Sequence, residues 1–215
     1  MRQSIIGGYF DTDNHSYWTE DGVRIPSITQ VLRLTGLVDY SGIDPAVLEN
    51  AARRGSEVHE LAAAKNQYGE VDESWITDET RPYFSAYLNF LNDTGFTPDH
   101  AWIEQAIIAT IGGMKLGITP DVHGKLGRDL WIIEFKTTAT VMDGTSIQTA
   151  AQELAVLNSN HVGRCRRGVL QLKKDGKYKL HHHTNHSEDE ADLIGALRVV
   201  WRRIRSGEGV WDKLG

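Results

Sequence analysis

The sequence predicts an α/β protein in which helices flank a central mixed β-sheet. The predicted elements follow the order helices, three strands, one helix, two strands and one helix, which is typical of a layered fold with a mixed sheet. Glycine turns at Gly112-Gly113 and Asp175-Gly176 join neighbouring strands as hairpins. With 215 residues, of which 40% are hydrophobic, the chain is expected to form one domain with its own core.

Short strands and capped helices occupy the first part of the chain. Residues 1–26 are predicted to form a β-hairpin region, because aromatic residues flank a Glu-Asp-Gly turn. Ser27 is placed to cap a helix that ends at Gly36. Asp44-Pro45 starts a second helix, since Asp accepts hydrogen bonds from free N–H groups and Pro at the first helical position loses no needed donor. A third helix ends at Gly95.

The sheet is predicted from the elements that follow. In chain order these are strands over 100–111, 115–123 and 129–136, a helix over 146–158, a hairpin over 166–183, and a closing helix that begins with the capping-box pattern Ser187-x-x-Glu190. We expect a single domain over 1–215, in which 164–215 forms a basic hairpin and a C-terminal helix.

Charge is distributed unevenly along the chain. The net charge of −6 argues mildly against nucleic acid as a partner, because proteins that bind phosphate groups usually carry a basic net charge. Of 23 Lys+Arg and 29 Asp+Glu, however, residues 164–215 hold 12 and 7, whereas residues 1–163 hold 11 and 22. The basic C-terminal quarter is either a solvated face or a side that faces phosphate groups.

The cysteine content and the hydropathy of the chain indicate the cellular compartment in which it is expected. The single cysteine, Cys165, excludes an internal disulfide framework and a four-cysteine cluster carried by one chain. The N-terminal residues lack the apolar run of a signal peptide, and no eighteen consecutive residues are apolar. A soluble cytoplasmic protein without a membrane partner is therefore expected.

A carboxylate and an ammonium interrupt the apolar third strand. Glu134 and Lys136 share one face, because residues i and i+2 of a strand point the same way. Burying a carboxylate costs several kcal/mol unless it is paired or binds a metal. If the preceding strand pairs with this one, Asp121 lies beside Glu134, and two carboxylates with a carbonyl such as that of Phe135 suit Mg²⁺ or Mn²⁺. The alternative is a structural ion pair of Lys136 at a sheet edge.

Three stretches resemble one enzyme family. TPD at 119–121 and EFK at 134–136 resemble the PD-(D/E)xK nuclease motif, and their context, GITPDVHG and WIIEFKTT, is similar to the RecB-like branch with its many phage and prophage exonucleases. RRGSEVHELAA at 53–63 is similar to the upstream helix of that branch, and QTAAQELAVL at 148–157 resembles its downstream glutamine helix. With the C-terminal hairpin and helix, the resemblance spans roughly residues 23–205.

This resemblance implies a restriction-endonuclease-like core and specific residue roles. The implied catalytic residues are Asp121, Glu134, Lys136 and Gln148, and the implied metal ligands are His59, Asp121, Glu134 and the carbonyl of Phe135. Glu104, on the strand before Asp121, is either an accessory acid or a solvent-facing residue. The side chains expected to contact DNA are Arg54, Gln152, Arg164, Arg166, Arg167, Lys173 and Lys174.

Several of these residues have alternative interpretations. His59 lies on a packed helix face, where a core histidine is ordinary, and Gln148 fits a capping box with Thr145. Arg54 contacts DNA or is merely solvated. At Gln152 the branch often has a tyrosine, so a stacking role does not carry over.

A histidine cluster near the C-terminus suggests a metal site by composition alone. It comprises His181, His182, His183 and His186. Consecutive strand residues alternate in direction, so we expect a polar hairpin end instead. A zinc hydrolase is disfavoured, because the chain has no HExxH pattern.

The function that the resemblance implies is metal-dependent hydrolysis of DNA phosphodiester bonds with Mg²⁺ or Mn²⁺. An exonuclease of phage-type recombination or DNA processing is expected, with DNA and a single-strand annealing or other recombination protein as partners, in a bacterial host. The one cysteine excludes the iron–sulfur cluster of some relatives. A structure-specific or nicking endonuclease and a non-catalytic nucleic-acid-binding module on the same fold remain alternatives. The number of subunits is left open.

Overall fold

A computed structural model describes residues 1–160, 163–208 and 210–211 of the chain. The strands are β1 (Arg2–Ile5), β2 (Gly8–Asp11), β3 (Ser16–Trp18), β4 (Arg24–Ile25), β5 (Thr97–Ile103), β6 (Ile107–Ile111), β7 (Met114–Ile118), β8 (Val122–Leu126), β9 (Asp129–Lys136), β10 (Arg166–Leu172) and β11 (Tyr178–His183). The helices are α1 (Ile28–Thr35), α2 (Pro45–Tyr68), α3 (Arg81–Thr94), α4 (Gly144–Asn160) and α5 (His186–Arg205), with a short 3₁₀ helix over Glu73–Trp75.

A five-stranded mixed sheet in the order β11-β10-β9-β8-β5 lies at the centre. Strands β9 and β10 run parallel and are connected through α4, whereas the other neighbours are antiparallel. Helices α2 and α3 cover one face of this sheet, and α1, α4 and α5 contribute the core on the other. The predicted α/β fold, a central mixed sheet flanked by helices, is confirmed.

Strand β9 is buried on both faces. Trp131, Ile133 and Phe135 pack with α2 and α3, whereas Ile132 packs with α4. A strand covered on both sides is expected to be continuously apolar. The charged residues at its C-terminal end are therefore exceptions that need compensation.

The predicted caps of the first two helices are present. Ser27 and Gln30 form a reciprocal capping box at the start of α1, and Gly36 ends that helix in a left-handed conformation with φ 76°. Asp44 accepts from the backbone of Ala46 at 2.8 Å at the start of α2. These local signals depend on neighbours in sequence, so the structure reproduces them without tertiary help.

Two predicted strands are each broken in two. The strand expected over 100–111 divides into β5 and β6, and the one expected over 115–123 divides into β7 and β8. Strands β5 and β8 belong to the central sheet, whereas β6 and β7 form a separate hairpin. The breaks lie side by side, because the backbone N–H of Glu104 donates to the carbonyl of Asp121 at 3.2 Å.

The N-terminal strands form a further antiparallel sheet in the order β1-β2-β3-β4. Parallel bridges join Ile6 to Ile107 and Ser27 to Gly117, so this sheet is attached to the β6–β7 hairpin. Tyr17 of β3 is buried, and its hydroxyl lies 2.7 Å from the hydroxyl of Thr119. The N-terminal sheet thus contacts the segment that precedes Asp121.

The start of α5 differs from the prediction. The helix begins at His186 after Asn185, without a side-chain cap, and Ser187 lies inside the first turn. The predicted capping box at Ser187 is wrong, because His186 is already part of the helix and holds Glu153 of α4 at 2.9 Å. None of the described helices combines the length and apolar character needed to cross a membrane.

Candidate active site

Glu134 and Lys136 lie at the C-terminal end of β9, where α4 covers the strand. The Lys136 ammonium donates to Glu134 Oε1 at 2.5 Å, and the Gln148 amide donates to the same oxygen at 2.7 Å. Gln152, one helical turn further along α4, donates to Glu134 Oε2 at 2.6 Å. Both oxygens of this carboxylate, which is only 3% exposed, are therefore compensated by hydrogen-bond donors.

Asp121 lies in the short segment between strands β7 and β8, immediately before β8. In the β8–β9 hairpin Val122 pairs with Ile133, and continuing this register by one residue puts Asp121 opposite Glu134. Asp121 is buried, and its Oδ2 accepts a hydrogen bond from the backbone N–H of Phe135 at 2.5 Å. The bond leaves the other carboxylate oxygen, Oδ1, facing α2.

His59 of α2 faces this oxygen. Its Nδ1 lies 3.3 Å from Asp121 Oδ1 and 3.8 Å from Glu104 Oε1. Its Nε2 lies 3.1 Å from the carbonyl oxygen of Phe135. A carbonyl only accepts hydrogen bonds, so Nε2 is protonated whether the ring is neutral or charged, and Nδ1 is directed at the carboxylates.

Glu104 completes the group from the break between β5 and β6. Its backbone has φ 50°, a conformation that is uncommon for residues other than glycine. This conformation ends β5 and turns the Glu104 side chain toward His59 and Asp121 instead of continuing the strand. The histidine nitrogen and the two carboxylates together form one group whose ligand atoms lie within 4.8 Å of one another.

The charges in this group shift its proton affinities. Burial lowers the pKa of His59, but the charges of Asp121, Glu104 and Glu134 and the hydrogen bond to Asp121 outweigh it and raise the pKa to about 9. Burial and the charge of Asp121 raise the pKa of Glu104 to about 8, although His59 opposes the change. At neutral pH the group therefore retains protons that a divalent cation could displace.

Lys136 remains a cation in spite of its burial. Burial lowers its pKa, but the neighbouring Glu134 and Asp121 carboxylates more than compensate and raise it above the ordinary value. About a quarter of the Lys136 side chain, 27%, is exposed. The ammonium is thus held by the buried carboxylate and still reaches solvent.

The residues predicted from sequence meet at one place, with two differences in detail. Glu134, expected to bind metal, does not belong to the group formed by His59, Glu104 and Asp121 among the described residues. The Phe135 carbonyl, also expected to bind metal, accepts a hydrogen bond from His59 in this structure, and its ligation stays a prediction. Gln148 contacts Glu134, while the Thr145 hydroxyl donates to the Met142 carbonyl, so the alternative capping box between them is wrong.

Two of the side chains expected at DNA are inside the protein. Arg167 has no exposed surface and donates to Asp189 at 2.6 Å and to the Ser146 carbonyl at 2.7 Å. Gln152 is likewise fully buried against Glu134. These two predictions are wrong, because the basic and glutamine patterns that suggested DNA contacts carry no information on burial.

The other predicted DNA contacts are at least partly exposed. Arg164 pairs with Glu190, and Arg166 pairs with Asp129 at 2.8 Å. Lys173 and Lys174 lie at the end of β10, where Lys174 is exposed. Arg54 of α2, with a side chain 20% exposed, lies 3.5 Å from Glu79 and stacks over Tyr83.

The histidines near the C-terminus do not converge. His181 lies 3.1 Å from the Gln171 amide oxygen and His183 lies 3.0 Å from the Thr149 hydroxyl, whereas His182 packs against Trp131. Within the described residues none of these side chains belongs to a potential metal-binding group. A polar hairpin end, as expected, describes them better than a metal cluster.

Comparisons with known proteins support the fold. The chain is similar to the crystal structure of a protein from Eubacterium rectale described as a "Putative exonuclease", with a TM-score of 0.51 and 12% sequence identity over 86% of this chain and 82% of the other. No protein-family model matches the sequence, and no curated protein matches it. At this identity the similarity establishes a nuclease-like fold.

Proposed function

We propose that this protein is a metal-dependent deoxyribonuclease that hydrolyses DNA phosphodiester bonds, as an exonuclease in phage-type recombination or DNA processing. One observation carries the proposal: a His59–Glu104–Asp121 group, in which Asp121 is buried, lies beside a lysine that a separate carboxylate, Glu134, holds in place. A protein that only binds DNA does not need three ionisable side chains in partly buried positions, because such positions cost free energy. The similarity to an exonuclease-like structure is consistent with the proposal.

The donor set fits Mg²⁺ or Mn²⁺. Carboxylate oxygens dominate it, and a single imidazole nitrogen is compatible with Mn²⁺. In the proposed holo form His59 Nδ1, Glu104 and Asp121 hold the cation, and the hydrogen bond from Nε2 to the Phe135 carbonyl orients the ring. When bound, such a cation lowers the pKa of a coordinated water and neutralises charge on the phosphate.

The chain's own residues supply the remaining requirements. Lys136 is a fixed positive charge for the phosphate oxygens, where charge accumulates in the transition state. Glu134 holds this ammonium, and Gln148 and Gln152 hold Glu134. Asp121 is kept in one orientation by the Phe135 N–H, so its free oxygen is directed at the group. We assign Glu134 a role in holding Lys136, in place of the predicted metal ligation.

Cleavage of end-labelled and circular DNA tests this proposal. Linear and closed circular DNA, single- and double-stranded, are incubated with Mg²⁺, Mn²⁺ or EDTA. Asp121→Asn removes the central carboxylate, and Asp192→Asn makes the same chemical change on the exposed surface of α5. We expect degradation of linear DNA alone, lost with EDTA and reduced at least about a hundredfold in Asp121→Asn, a loss of the size caused by removing one group that stabilises the transition state. Asp192→Asn retains wild-type activity.

Other outcomes separate the alternatives. Cutting of closed circles indicates the endonuclease alternative on the same scaffold. DNA binding without cleavage of any substrate, with either metal, rejects the nuclease and favours a binding module. Physical association with a single-strand annealing protein would extend the proposal to recombination, and its absence would restrict it to DNA processing.

A further inference from the structure

A cleft of about 420 Å³ opens next to Lys136. Its walls come from α1, the segment 38–48, the first turns of α2, the loop 138–142 and the start of α4. This volume is within the range of roughly 300–1,000 Å³ that is usual for small-molecule sites. The cleft is therefore large enough to hold a flat ring system next to the proposed catalytic group.

The charged side chains of the cleft lie at the end that faces the active site, and four threonines add hydroxyl groups to the lining. Lys136, Gln148 and Arg54 line this end, and two of them are cationic. The Arg54 Nε is buried and lacks a hydrogen-bond partner among the described residues. Both positive charges can attract the phosphate groups of a nucleic acid strand, so the polar end is suited to the backbone of the substrate.

The remainder of the cleft is largely apolar. Leu32, Val38 and Leu48 form its wall together with the aromatic ring of Tyr40. At its mouth Ile43 is 39% and Val47 is 60% exposed to solvent. An apolar cleft that is open to solvent and has cations at one end indicates a ligand with an apolar part and an attached anionic group.

We propose that this cleft binds one unpaired nucleobase next to the scissile phosphate, so that the substrate of the enzyme is a single-stranded DNA segment or end. The inference rests on the proposed nuclease function and specifies the substrate of the same site. Aromatic and aliphatic side chains bind bases of any sequence through their faces. A base inside a duplex is paired and stacked on both sides and must leave the stack before it can enter such a cleft.

Ala51 offers a way to fill the cleft without touching the ionisable group. It lies on α2 and lines the cleft, whereas the adjacent Ala52 is exposed and points elsewhere on the same helix. Ala51→Phe places a ring in the space proposed for the base, and Ala52→Phe is its matched control. Thermal unfolding and circular dichroism establish whether both variants are folded, and Leu48→Ala, which removes an apolar wall, serves as a second cleft variant.

The test uses end-labelled single-stranded oligonucleotides in which one nucleotide at a time is replaced by an abasic site. For the wild-type enzyme we expect kcat/KM to fall roughly tenfold at one position next to the cleaved bond, as expected for the loss of one base-stacking contact. For Ala51→Phe we expect kcat/KM on the intact oligonucleotide to be lower than that of the wild type by a similar factor, and the abasic site to cause no further decrease. Ala52→Phe behaves as the wild type, and Leu48→Ala shows a smaller penalty for the abasic site.

Several results would overturn the inference. One is that the wild-type enzyme cleaves oligonucleotides with equal rates whatever the position of the abasic site. Another is that the folded Ala51→Phe variant has the kcat/KM of the wild type. A third is that the enzyme cleaves a blunt-ended duplex as fast as it cleaves the same strand when unpaired. If the wild-type enzyme cuts duplex DNA but no intact single-stranded oligonucleotide, the inference fails and the proposed function stands. If it cuts no DNA at all, the proposed function fails by itself. Fluorescence anisotropy then compares the binding of intact and abasic labelled oligonucleotides, and equal Kd values reject the base-binding cleft.

Discussion

The Glu134 carboxylate explains how a strand buried on both faces can carry a charge. Lys136 neutralises it, and two amide donors from α4 complete its hydrogen bonds. A buried carboxylate with one ammonium partner alone would remain costly, because desolvation commonly exceeds the Coulombic gain. Three well-placed donors make the site tolerable, and they also fix the position of the ammonium.

The protonation of His59 and Glu104 leads to a prediction on pH. Both pKa values are raised in the folded protein, to about 9 and about 8, above ordinary values of 6.5 and 4.5. A raised pKa contributes stability that is fully present below the unfolded pKa and is lost as pH rises through the folded pKa. The free energy of unfolding of the metal-free protein is therefore expected to fall between pH 4.5 and 9, through Glu104 from pH 4.5 to 8 and through His59 from pH 6.5 to 9.

Metal binding should show the opposite dependence on pH. The affinity for Mg²⁺ is expected to rise with pH, because the cation displaces protons from His59 and Glu104. Each displaced proton contributes up to about a tenfold gain in affinity per pH unit, until the pH exceeds the pKa of the group that carried it. Urea denaturation in EDTA and calorimetric titration with Mg²⁺ at pH 6.5, 7.5 and 8.5 measure the two effects. The Glu104→Gln variant should weaken the pH dependence of both, whereas Glu188→Gln, an exposed change on α5, should not. Metal affinity that is independent of pH would contradict the assigned ligands.

At the scale of elements, α4 acts through two glutamines one turn apart. Residues i and i+4 lie on the same helix face, so Gln148 and Gln152 reach the two oxygens of one carboxylate. Gln148→Ala and Gln152→Ala are each expected to lower kcat roughly tenfold with little change in KM, because they release Glu134 and thereby Lys136. The double variant should lose less than the product of the two factors, since both act on the same group.

Gln67→Ala is the matched control for these variants, because Gln67 is exposed on α2. Steady-state kinetics on labelled DNA distinguish positioning from a general loss of structure. An effect on KM alone would indicate that the glutamines bind substrate. Additive losses in kcat would indicate that they act on separate groups.

The limits of sequence-based prediction are visible in the strands around the site. Strand β9 was predicted over 129–136 and is found there, since its apolar run and its turn are local signals. The strand predicted over 100–111 is wrong, because its apolar pattern continues across Glu104, where the chain leaves one sheet for another. Only the tertiary pairing of β5 with β8 and of β6 with β7 produces this break. The closeness of Glu104 to His59 and Asp121 was therefore not predictable from the sequence, which suggested only an accessory acid or a solvent-facing residue.

At the scale of the whole molecule, a buried ionic network joins β10, α4 and α5. Arg167 of β10 contacts Glu153 at 3.4 Å and Asp189 at 2.6 Å, and none of its surface is exposed. Arg167→Met leaves the Asp189 carboxylate without its cation and removes one partner of the buried Glu153, and it is expected to lower the free energy of unfolding by about 3–5 kcal/mol. Arg166→Met, on the exposed side of the same strand, should cost less than about 1 kcal/mol.

Urea denaturation of both arginine variants measures this difference. A triple variant that also carries Glu153→Gln and Asp189→Asn should recover part of the loss, because no uncompensated charge then remains buried. Equal losses for Arg166→Met and Arg167→Met would mean that the network contributes no more than a surface ion pair. The sequence alone did not reveal this network, since an arginine in a basic run is ordinarily solvated.

The N-terminal sheet and the β6–β7 hairpin meet at Gly117. A Cβ at this position would lie 2.2 Å from Cγ of the Tyr17 ring, closer than side chains approach in folded proteins. The ring could not keep its place, and its hydroxyl would lose Thr119, two residues before Asp121. Gly117→Ala is therefore expected to lower the free energy of unfolding by about 1–3 kcal/mol and to reduce DNA cleavage as well.

Glycine substitution elsewhere provides the control for this prediction. Gly195 of α5 has nothing within 4 Å of an added Cβ, so Gly195→Ala should stabilise the helix by about 0.5–1 kcal/mol and leave activity unchanged. In a Tyr17→Ala background, Gly117→Ala should cost much less than in the wild type, because the clashing ring is gone. The wild type, Gly117→Ala, Tyr17→Ala and the double variant form a four-member cycle. Denaturation and cleavage measurements on these four proteins test whether the N-terminal sheet positions Asp121 through a single contact. Equal costs of Gly117→Ala in both backgrounds would locate the effect in the β6–β7 hairpin itself.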